Sequence, residues 1–270
     1  MKNMSKWVAM ALALVMMLAM AGAATAEDAS LADLQARGKL VLGLDDSFPP
    51  MGFRDEDNQI VGFDIDLAKE VCARLGVELV LQPIDWDTKE MELDSGNVDC
   101  IWNGMSRTEE REAAMALSID YMNNQMVFLC NNEAYQSRAD LAGKVLAVQN
   151  GSYAQKMMER EDHAELAASM GEVRGYPDYL TAIMDMQNGN VDAVLIDVVV
   201  ANYRIAGLGD AALFTMDPVE DDLYCIGFRK ADEALRDAVN ETLVAMQADG
   251  AVEAIANVWF GENISIIPAA

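Results

Sequence analysis

Short apolar runs alternate with stretches of helical periodicity along most of this chain. Lys39–Leu44 predicts a first strand, and apolar positions then recur at helical spacing over 65–75, up to Gly76, a residue type that commonly ends helices. The same reasoning predicts strands at 77–81, 100–102, 125–130, 144–148, 193–196 and 224–228, and helices at 87–95, 152–165, 179–188, 197–206 and 231–249. This rhythm predicts an α/β fold with mostly parallel sheets and right-handed crossovers.

One tetrapeptide, Gly-Asn-Val-Asp, occurs twice, at 96–99 and at 189–192. Each copy follows a predicted helix and opens a short apolar run, and the runs end at Asn103 and Asp197. Ligands of open α/β sheets bind at the carboxyl ends of strands. The repeat favours two related α/β lobes that face one cleft, and the alternative is chance sharing of a turn.

The two lobes have no obvious linker, since no Pro-, Gly- or Ser-rich segment separates them. We therefore expect paired strands to join them, 125–130 outward and 223–228 on the return. The first lobe is predicted to comprise 27–128 and 223–270, and the second to comprise 129–222.

Residues 1–26 are predicted to be a secretory signal peptide. Lys2 and Lys6 form a basic start, 7–21 an apolar core, and Ala24-Thr25-Ala26 a small-residue cleavage site. A membrane anchor is the alternative, but the apolar run is short for a membrane-spanning helix. We expect the mature chain, 27–270, to be a soluble periplasmic protein.

The chain is strongly acidic, with 19 basic and 45 acidic residues and a formal net charge of −26. Such a surface disfavours nucleic acid and anionic lipid as partners. It also makes an arginine inside a cleft a local exception.

Cysteine and histidine usage limits the available chemistry. In an oxidising compartment the even number of cysteines favours disulfides, with three possible pairings. His163, the only histidine, lies in a charged helical stretch and is expected to be a solvated surface residue. No His/Cys cluster has metal-ligand spacing, so we predict neither a metal nor another cofactor. The cysteines are Cys72, Cys100, Cys130 and Cys225.

Polar segments after two predicted strands could hold an anion. In 103–111, Thr108 and the acidic residues after it are typical of a helix start, where backbone N–H groups near Ser106 and the Arg111 guanidinium could bind a carboxylate. Residues 149–153 form a second such start. The alternatives are a surface ion pair between Arg111 and a neighbouring glutamate, and an ordinary turn.

Three further side chains are candidates for a pocket. Asp197 ends the second repeated unit and could receive an ammonium group, or it could cap the following helix. Phe48 and Trp86 stand in loops after strands, where aromatic rings can wall a ligand pocket. Ordinary packing is the alternative for both rings.

Three motifs together resemble the family-3 extracellular solute-binding proteins, which serve ABC transporters for polar amino acids. Residues 62–67 match G-F-[DE]-x-[DE]-L, residues 104–111 are similar to G-x-[ST]-x-T-x-x-R, and Phe228-Arg229-Lys230 lies near the predicted return strand. The resemblance covers essentially the whole mature chain. It implies the two-lobe periplasmic-binding-protein fold, in which two hinge strands join the lobes and a ligand drives closure.

The resemblance also implies the roles of individual residues. Arg111 and nearby backbone N–H groups would hold an α-carboxylate, and Asp197 would take the α-ammonium with the Gly104 carbonyl and the Ser106 hydroxyl. Phe48 and Trp86 would sandwich the ligand side chain, whose identity would be read near Asp45 and Gln149. The implied ligand-binding set is Asp45, Phe48, Trp86, Asn103, Gly104, Ser106, Arg111, Gln149, Ser152, Tyr153 and Asp197.

The neutral Gln149 does not favour an acidic side chain, and Asp45 adds negative charge at that end. We therefore expect a polar neutral or basic L-amino acid, with cystine as an alternative. The expected protein partner is a membrane permease, and the receptor itself is expected to be a monomer. The rival functions are a cyclohexadienyl dehydratase-like lyase, which would need a general acid over the substrate ring, and a ligand sensor for a signalling partner.

Overall fold

A computed structural model describes residues 28–208 and 213–269. The predicted signal peptide therefore lies outside the described residues. The strands are β1 (Lys39–Leu44), β2 (Ser47–Phe48), β3 (Gly52–Arg54), β4 (Ile60–Val61), β5 (Glu78–Pro83), β6 (Cys100–Ser106), β7 (Met115–Leu117), β8 (Met122–Cys130), β9 (Val145–Gln149), β10 (Glu172–Tyr176), β11 (Ala193–Asp197), β12 (Phe214–Thr215) and β13 (Glu220–Arg229).

The helices cover the faces of the sheet. They are α1 (Ser30–Arg37), α2 (Phe63–Leu75), α3 (Lys89–Asp94), α4 (Glu109–Ala114), α5 (Tyr153–Glu159), α6 (Ala164–Ser169), α7 (Tyr179–Gln187), α8 (Val198–Leu208), α9 (Glu233–Asp249) and α10 (Ala251–Phe260), with 3₁₀ turns at Trp86–Thr88, Arg138–Leu141 and Glu161–His163. Helix α2 ends at Gly76, whose φ of 72° is left-handed, as the sequence predicts.

One sheet runs through the molecule in the strand order β10-β9-β11-β8-β13-β6-β1-β5. Its two ends are parallel: β1 pairs with β5 and β6, and β9 pairs with β10 and β11. Its middle is antiparallel, because β8 pairs with β11 and β13, and β13 pairs with β6. The fold is thus α/β with two lobes, as predicted, and β8 and β13 join them.

Both copies of the repeated tetrapeptide build the same turn. Gly96 and Gly189 have left-handed φ values of 76° and 77°. The Asp99 carboxylate accepts the N–H of Val41 at 2.9 Å, and the Asp192 carboxylate accepts the N–H of Val145 at 2.8 Å. Each aspartate therefore fastens its strand to the neighbouring parallel strand.

The C-terminal helices return to the first lobe, as expected. Arg74 of α2 pairs with Asp249 of α9 at 2.7 Å, and the Trp259 indole N–H of α10 donates to Asp66 of α2 at 3.0 Å. These contacts close the apolar layer over one end of the sheet.

The disulfide expectation is wrong for this structure. All four cysteines lie within the described ranges, and each is a buried free thiol. Burial raises the pKa of Cys72, Cys130 and Cys225 to about 12 and that of Cys100 further. A pairing predicted from an even count fails because each cysteine fills a position in the apolar core.

Two predictions about the segment after 152 are also wrong. The predicted helix over 152–165 is interrupted at Arg160, whose extended backbone ends α5 before the next 3₁₀ turn. Arg160 and His163 both contact Glu220 of β13, and the His163 Nε2 lies 2.6 Å from Glu220 Oε2. His163 is therefore half-buried against the joining strand and is not a solvated residue. The interruption lets both side chains reach this carboxylate.

Candidate functional site

A small cavity lies where the carboxyl ends of strands from both lobes meet. Its free volume is about 10 Å³. The structure brings all eleven residues of the predicted ligand-binding set to its wall and adds Tyr179 to them. The lining residues are Asp45, Phe48, Trp86, Asn103, Gly104, Ser106, Arg111, Gln149, Ser152, Tyr153, Tyr179 and Asp197.

The Arg111 guanidinium is a positive charge in the wall of this cavity. Thr108 caps α4 by accepting the N–H of Arg111 at 3.1 Å, which confirms the predicted helix start. The Arg111 side chain is buried and donates to the Ser106 carbonyl at 2.6 Å. It does not pair with a neighbouring glutamate, so the surface alternative is wrong. A buried guanidinium here could bind a carboxylate with two parallel hydrogen bonds.

The turn that carries Gly151 approaches this cation from the second lobe. The Gly151 carbonyl accepts the Lys89 ammonium at 2.8 Å and lies 3.4 Å from Arg111 Nη2. Burial, followed by the nearby Arg111 charge, lowers the pKa of Lys89 to about 8. Ser152 caps α5 by accepting the N–H of Gln155 at 3.2 Å. This part of the site therefore combines the positive charges of Arg111 and Lys89 with the N-terminus of α5.

The Asp197 carboxyl also lines the cavity, and the Asp222 carboxyl lies next to it. Asp197 accepts the Asn124 amide and the Tyr224 hydroxyl, each at 2.7 Å. The same amide lies 3.0 Å from Asp222, which also accepts the Ser106 hydroxyl at 2.7 Å. Burial, together with the charge of Asp222, raises the pKa of Asp197 to about 7. An ammonium group would be stabilised here, because it would offset two neighbouring acidic groups.

Gly104 also lines the cavity, and the buried carboxyl group of Asp64 holds its backbone in place. Its φ is +58°, and a Cβ would lie 2.7 Å from the Phe48 ring, so only glycine fits. Its N–H donates to Asp64 at 2.7 Å, and the Tyr121 hydroxyl donates to the same oxygen at 2.9 Å. Burial raises the pKa of Asp64 to about 7. The Gly-Phe-Asp motif thus reaches the site through the backbone of β6.

The remaining wall is formed by a polar contact and two rings that cross between lobes. Gln149 at the end of β9 donates to Asp45 after β1 at 2.7 Å. The rings of Phe48 and Tyr179 have centroids 5.9 Å apart. Phe48 lies in β2 and Trp86 in a 3₁₀ turn, and both are almost fully buried. They face the cavity, so their position is not ordinary packing alone.

The sequence reasoning missed Tyr179, Lys89, Asn124 and Asp222. Tyr179 follows β10 closely, as Phe48 and Trp86 follow their strands, so the same rule could have found it. Lys89 and Leu93 share a buried face of α3, and this spacing marked Lys89 as inward-facing. Asn124 and Asp222 stand in strands without a distinguishing local pattern, and only the β8–β13 pairing brings them together.

Within the described ranges, no helix is long and apolar enough to cross a membrane, and no group of three or more His, Cys, Asp or Glu side chains could hold a metal ion. His163 does not line the cavity. The side chains that line this site can bind a ligand by charge, hydrogen bonds and aromatic contact.

The chain resembles known proteins over most of its length. It is 28% identical over 243 residues to the L-cystine-binding protein TcyJ of Escherichia coli (strain K12), covering 89% of each chain. It is 30% identical over 230 residues to the ABC transporter arginine-binding protein 1 of the same strain, covering 83% of this chain and 92% of the relative. Its relatives are amino-acid-binding proteins of ABC transporters.

A solved structure gives the same result. A substrate-binding protein of an ABC uptake transporter from Streptococcus pneumoniae with bound histidine is 34% identical, with a TM-score of 0.84 over 90% of this chain and 100% of that chain. The profile of the bacterial extracellular solute-binding proteins, family 3, matches residues 40–262. The chain therefore belongs to the family-3 extracellular solute-binding proteins of bacteria.

Proposed function

We propose that this protein is a periplasmic receptor that binds a polar L-amino acid between its lobes and delivers it to the membrane permease of an ABC transporter. The observation that carries the proposal is the charge arrangement of one small cavity, whose wall contains both the Arg111 guanidinium and the Asp197 carboxyl. A zwitterion needs one fixed cation and one fixed anion, and these two side chains come from opposite lobes.

Lobe closure follows from the same arrangement. The first lobe comprises 27–128 and 223–270, the second comprises 129–222, and β8 and β13 act as the hinge. A ligand bound by Arg111 and Asp197 at once stabilises the closed form, because it bridges the two lobes through both charged groups.

The ligand class is a polar neutral or basic amino acid, with cystine as an alternative. The relatives named above include cystine- and arginine-binding proteins and a histidine-bound structure, and the carboxyl groups of Asp45, Asp197 and Asp222 oppose an acidic side chain. We further propose export by cleavage after residue 26, a monomeric receptor, and no bound cofactor.

A thermal-shift screen of the mature chain, 27–270, tests the proposal. The probes are the twenty amino acids with cystine and ornithine, and the expected result is a large rise in melting temperature with one or two of them, since a ligand that binds only the native state stabilises it by mass action. The same sample, incubated with arogenate or prephenate, should leave both unchanged. Turnover of either compound would instead support the lyase.

Protein freshly purified from a bacterial host can retain its ligand, so the extract of a denatured sample is analysed by mass spectrometry alongside the screen. Absence of any shift, combined with an extract free of amino acids, would contradict the proposed function.

A further inference from the structure

The cavity contains polar atoms that this chain leaves without partners. Among the described residues, the buried side-chain atoms that make no hydrogen bond include Asn103 Oδ1, Asn103 Nδ2 and the Tyr179 hydroxyl, and both residues line the cavity. Asn103 is 2% exposed. Leaving a buried donor or acceptor unpaired costs about 1–3 kcal/mol, so a ligand that pairs with this amide gains that energy back.

Asn103 is held in place by the strands around it. It lies in β6 directly before Gly104, and a Cβ added to Gly52 of β3 would come within 2.4 Å of its Nδ2. The amide therefore fits against a glycine backbone on one side and faces the cavity on another. A side chain at position 52 would displace it.

Two other polar residues that line the cavity are already paired with one another. Asp45 accepts the N–H and the hydroxyl of Ser47 at 2.9 and 2.6 Å, and the Gln149 amide at 2.7 Å. Gln149 Nε2 also lies 3.3 Å from the Pro177 carbonyl. The carboxyl of Asp45 thus accepts three hydrogen bonds from neutral donors of this chain.

We propose that Asn103 reads the ligand side chain, and that the preferred ligand carries there a carboxamide, an uncharged group that presents a donor and an acceptor side by side. The inference rests on the proposed function. A carboxamide offers one donor and one acceptor to another amide. A cationic side chain offers only donors and leaves Nδ2 unpaired, a carboxylate leaves Oδ1 unpaired, and an alkyl chain leaves both unpaired.

Isothermal titration with ligands of similar length and different chemistry tests this. The probes are L-glutamine, L-glutamate, L-ornithine and L-norleucine, with L-histidine as the imidazole. We expect glutamine to bind the wild-type chain at least about 10-fold more tightly than the other four, since each of them leaves at least one amide atom unpaired and one unpaired polar atom corresponds to roughly that factor.

Two substitutions change the amide without adding bulk. Asn103→Asp leaves only acceptors, so it should weaken glutamine at least about 10-fold and move the preference toward ornithine. Asn103→Leu should reduce the difference between glutamine and norleucine to within a few-fold. Asn257→Asp, on the exposed face of α10, makes the same chemical change away from the cavity and should leave the ranking unchanged.

The outcomes separate the two levels of the argument. Tighter binding of ornithine or equal binding of norleucine by the wild type, or an unchanged ranking in both Asn103 variants, would overturn the inference while the amino-acid receptor stands. No binding of any probe or of any amino acid in the thermal-shift screen would overturn both. Melting curves of the ligand-free variants show whether each is folded, and Asn103→Leu decides the matter if the buried carboxylate of Asn103→Asp prevents folding.

Discussion

The two Gly-Asn-Val-Asp units are alike where they fold and different where they meet the ligand cavity. In both, a left-handed glycine is followed by an aspartate that fastens the next strand to its parallel neighbour. The first of these strands, β6, leads through Asn103, Gly104 and Ser106 to Arg111, whereas the second, β11, ends directly at Asp197.

The comparison shows that frame and chemistry are encoded separately. The buried apolar residues and the turn give each unit its strand, while the few residues at the carboxyl end of that strand give each lobe its charge. Two similar frames can therefore present a cation and an anion to the same cavity.

The largest expected effect comes from removing either charge. Arg111→Ala and Asp197→Asn should each cost on the order of 2–5 kcal/mol of ligand binding, because truncating a buried charged contact leaves its partner unpaired. Titration calorimetry with the best ligand of the screen measures both. The control is Arg174→Ala, which removes a partly exposed arginine that pairs with Glu172. This variant should bind the ligand as tightly as the wild type does. Affinities within a few-fold of wild type in either cavity variant would mean that the site is assigned wrongly.

The repeated aspartates should differ in their effect on stability. Asp99 accepts Arg37 and Arg229 as well as Val41, whereas Asp192 accepts the neutral Tyr135 hydroxyl and Val145. Asp99→Asn should lower the free energy of unfolding by about 2 kcal/mol, since it removes the counter-charge of Arg37 and one of the two carboxylates that pair with Arg229. Asp192→Asn should cost about 1 kcal/mol, the value of a neutral hydrogen bond.

Urea unfolding of the two variants checks this difference. Equal losses would show that the frame depends on the shared backbone contact alone and that the charges around Asp99 add nothing.

Substitutions at two glycines separate an effect on lobe closure from an effect on the local fold. Gly151 and Gly189 both have positive φ, but a Cβ at Gly151 would lie 2.8 Å from the Asp87 backbone, while nothing lies within 4 Å of one at Gly189. Alanine at either position should cost about 1 kcal/mol of stability. Gly151→Ala should also weaken the binding of every ligand roughly 10-fold. The new Cβ would contact the Asp87 backbone when the lobes close, and this contact would raise the free energy of the closed form by more than about 1 kcal/mol.

Titration of several amino acids against both variants is the measurement. If Gly151→Ala changes the ranking of ligands and not their common affinity, the turn contacts the ligand instead of limiting closure.

The last expected effect is a change in the pH dependence of folding. Burial raises the pKa of Asp64 from 3.8 to about 7. Stability contributed by its protonated form is therefore complete below pH 3.8 and is lost as the pH rises through about 7. Asp64→Asn cannot ionise. From pH 5 to pH 8 its free energy of unfolding should therefore increase relative to that of the wild type, which becomes less stable.

Urea unfolding at the two pH values measures that change, and Asp33→Asn on the exposed face of α1 is the matched control. A difference that stays constant with pH would show that Asp64 does not titrate in this range.

Much of the fold could be predicted because its signals are local. The apolar runs of β1 and β9 and the glycine stops of α2 and α9 depend on burial and backbone conformation within a few residues. The helix over 152–165 was predicted too long, because the extended backbone at Arg160 depends on a carboxylate of β13, distant in the chain. The even number of cysteines likewise does not tell which sulfur atoms come close enough to form a disulfide, since pairing requires two thiols to meet in space.

The sequence alone determined the alternation of strands and helices, the repeated turn and the set of polar and aromatic residues that end the strands, because periodicity and motif spacing record burial and local geometry. Only the tertiary structure decided which of these residues share a cavity and in what electrostatic state. The Asp197–Asn124–Asp222 cluster, the Lys89–Gly151 contact across the lobes and the unpaired amide of Asn103 join residues far apart in the chain. Their pairing and burial arise only when the sheet is assembled.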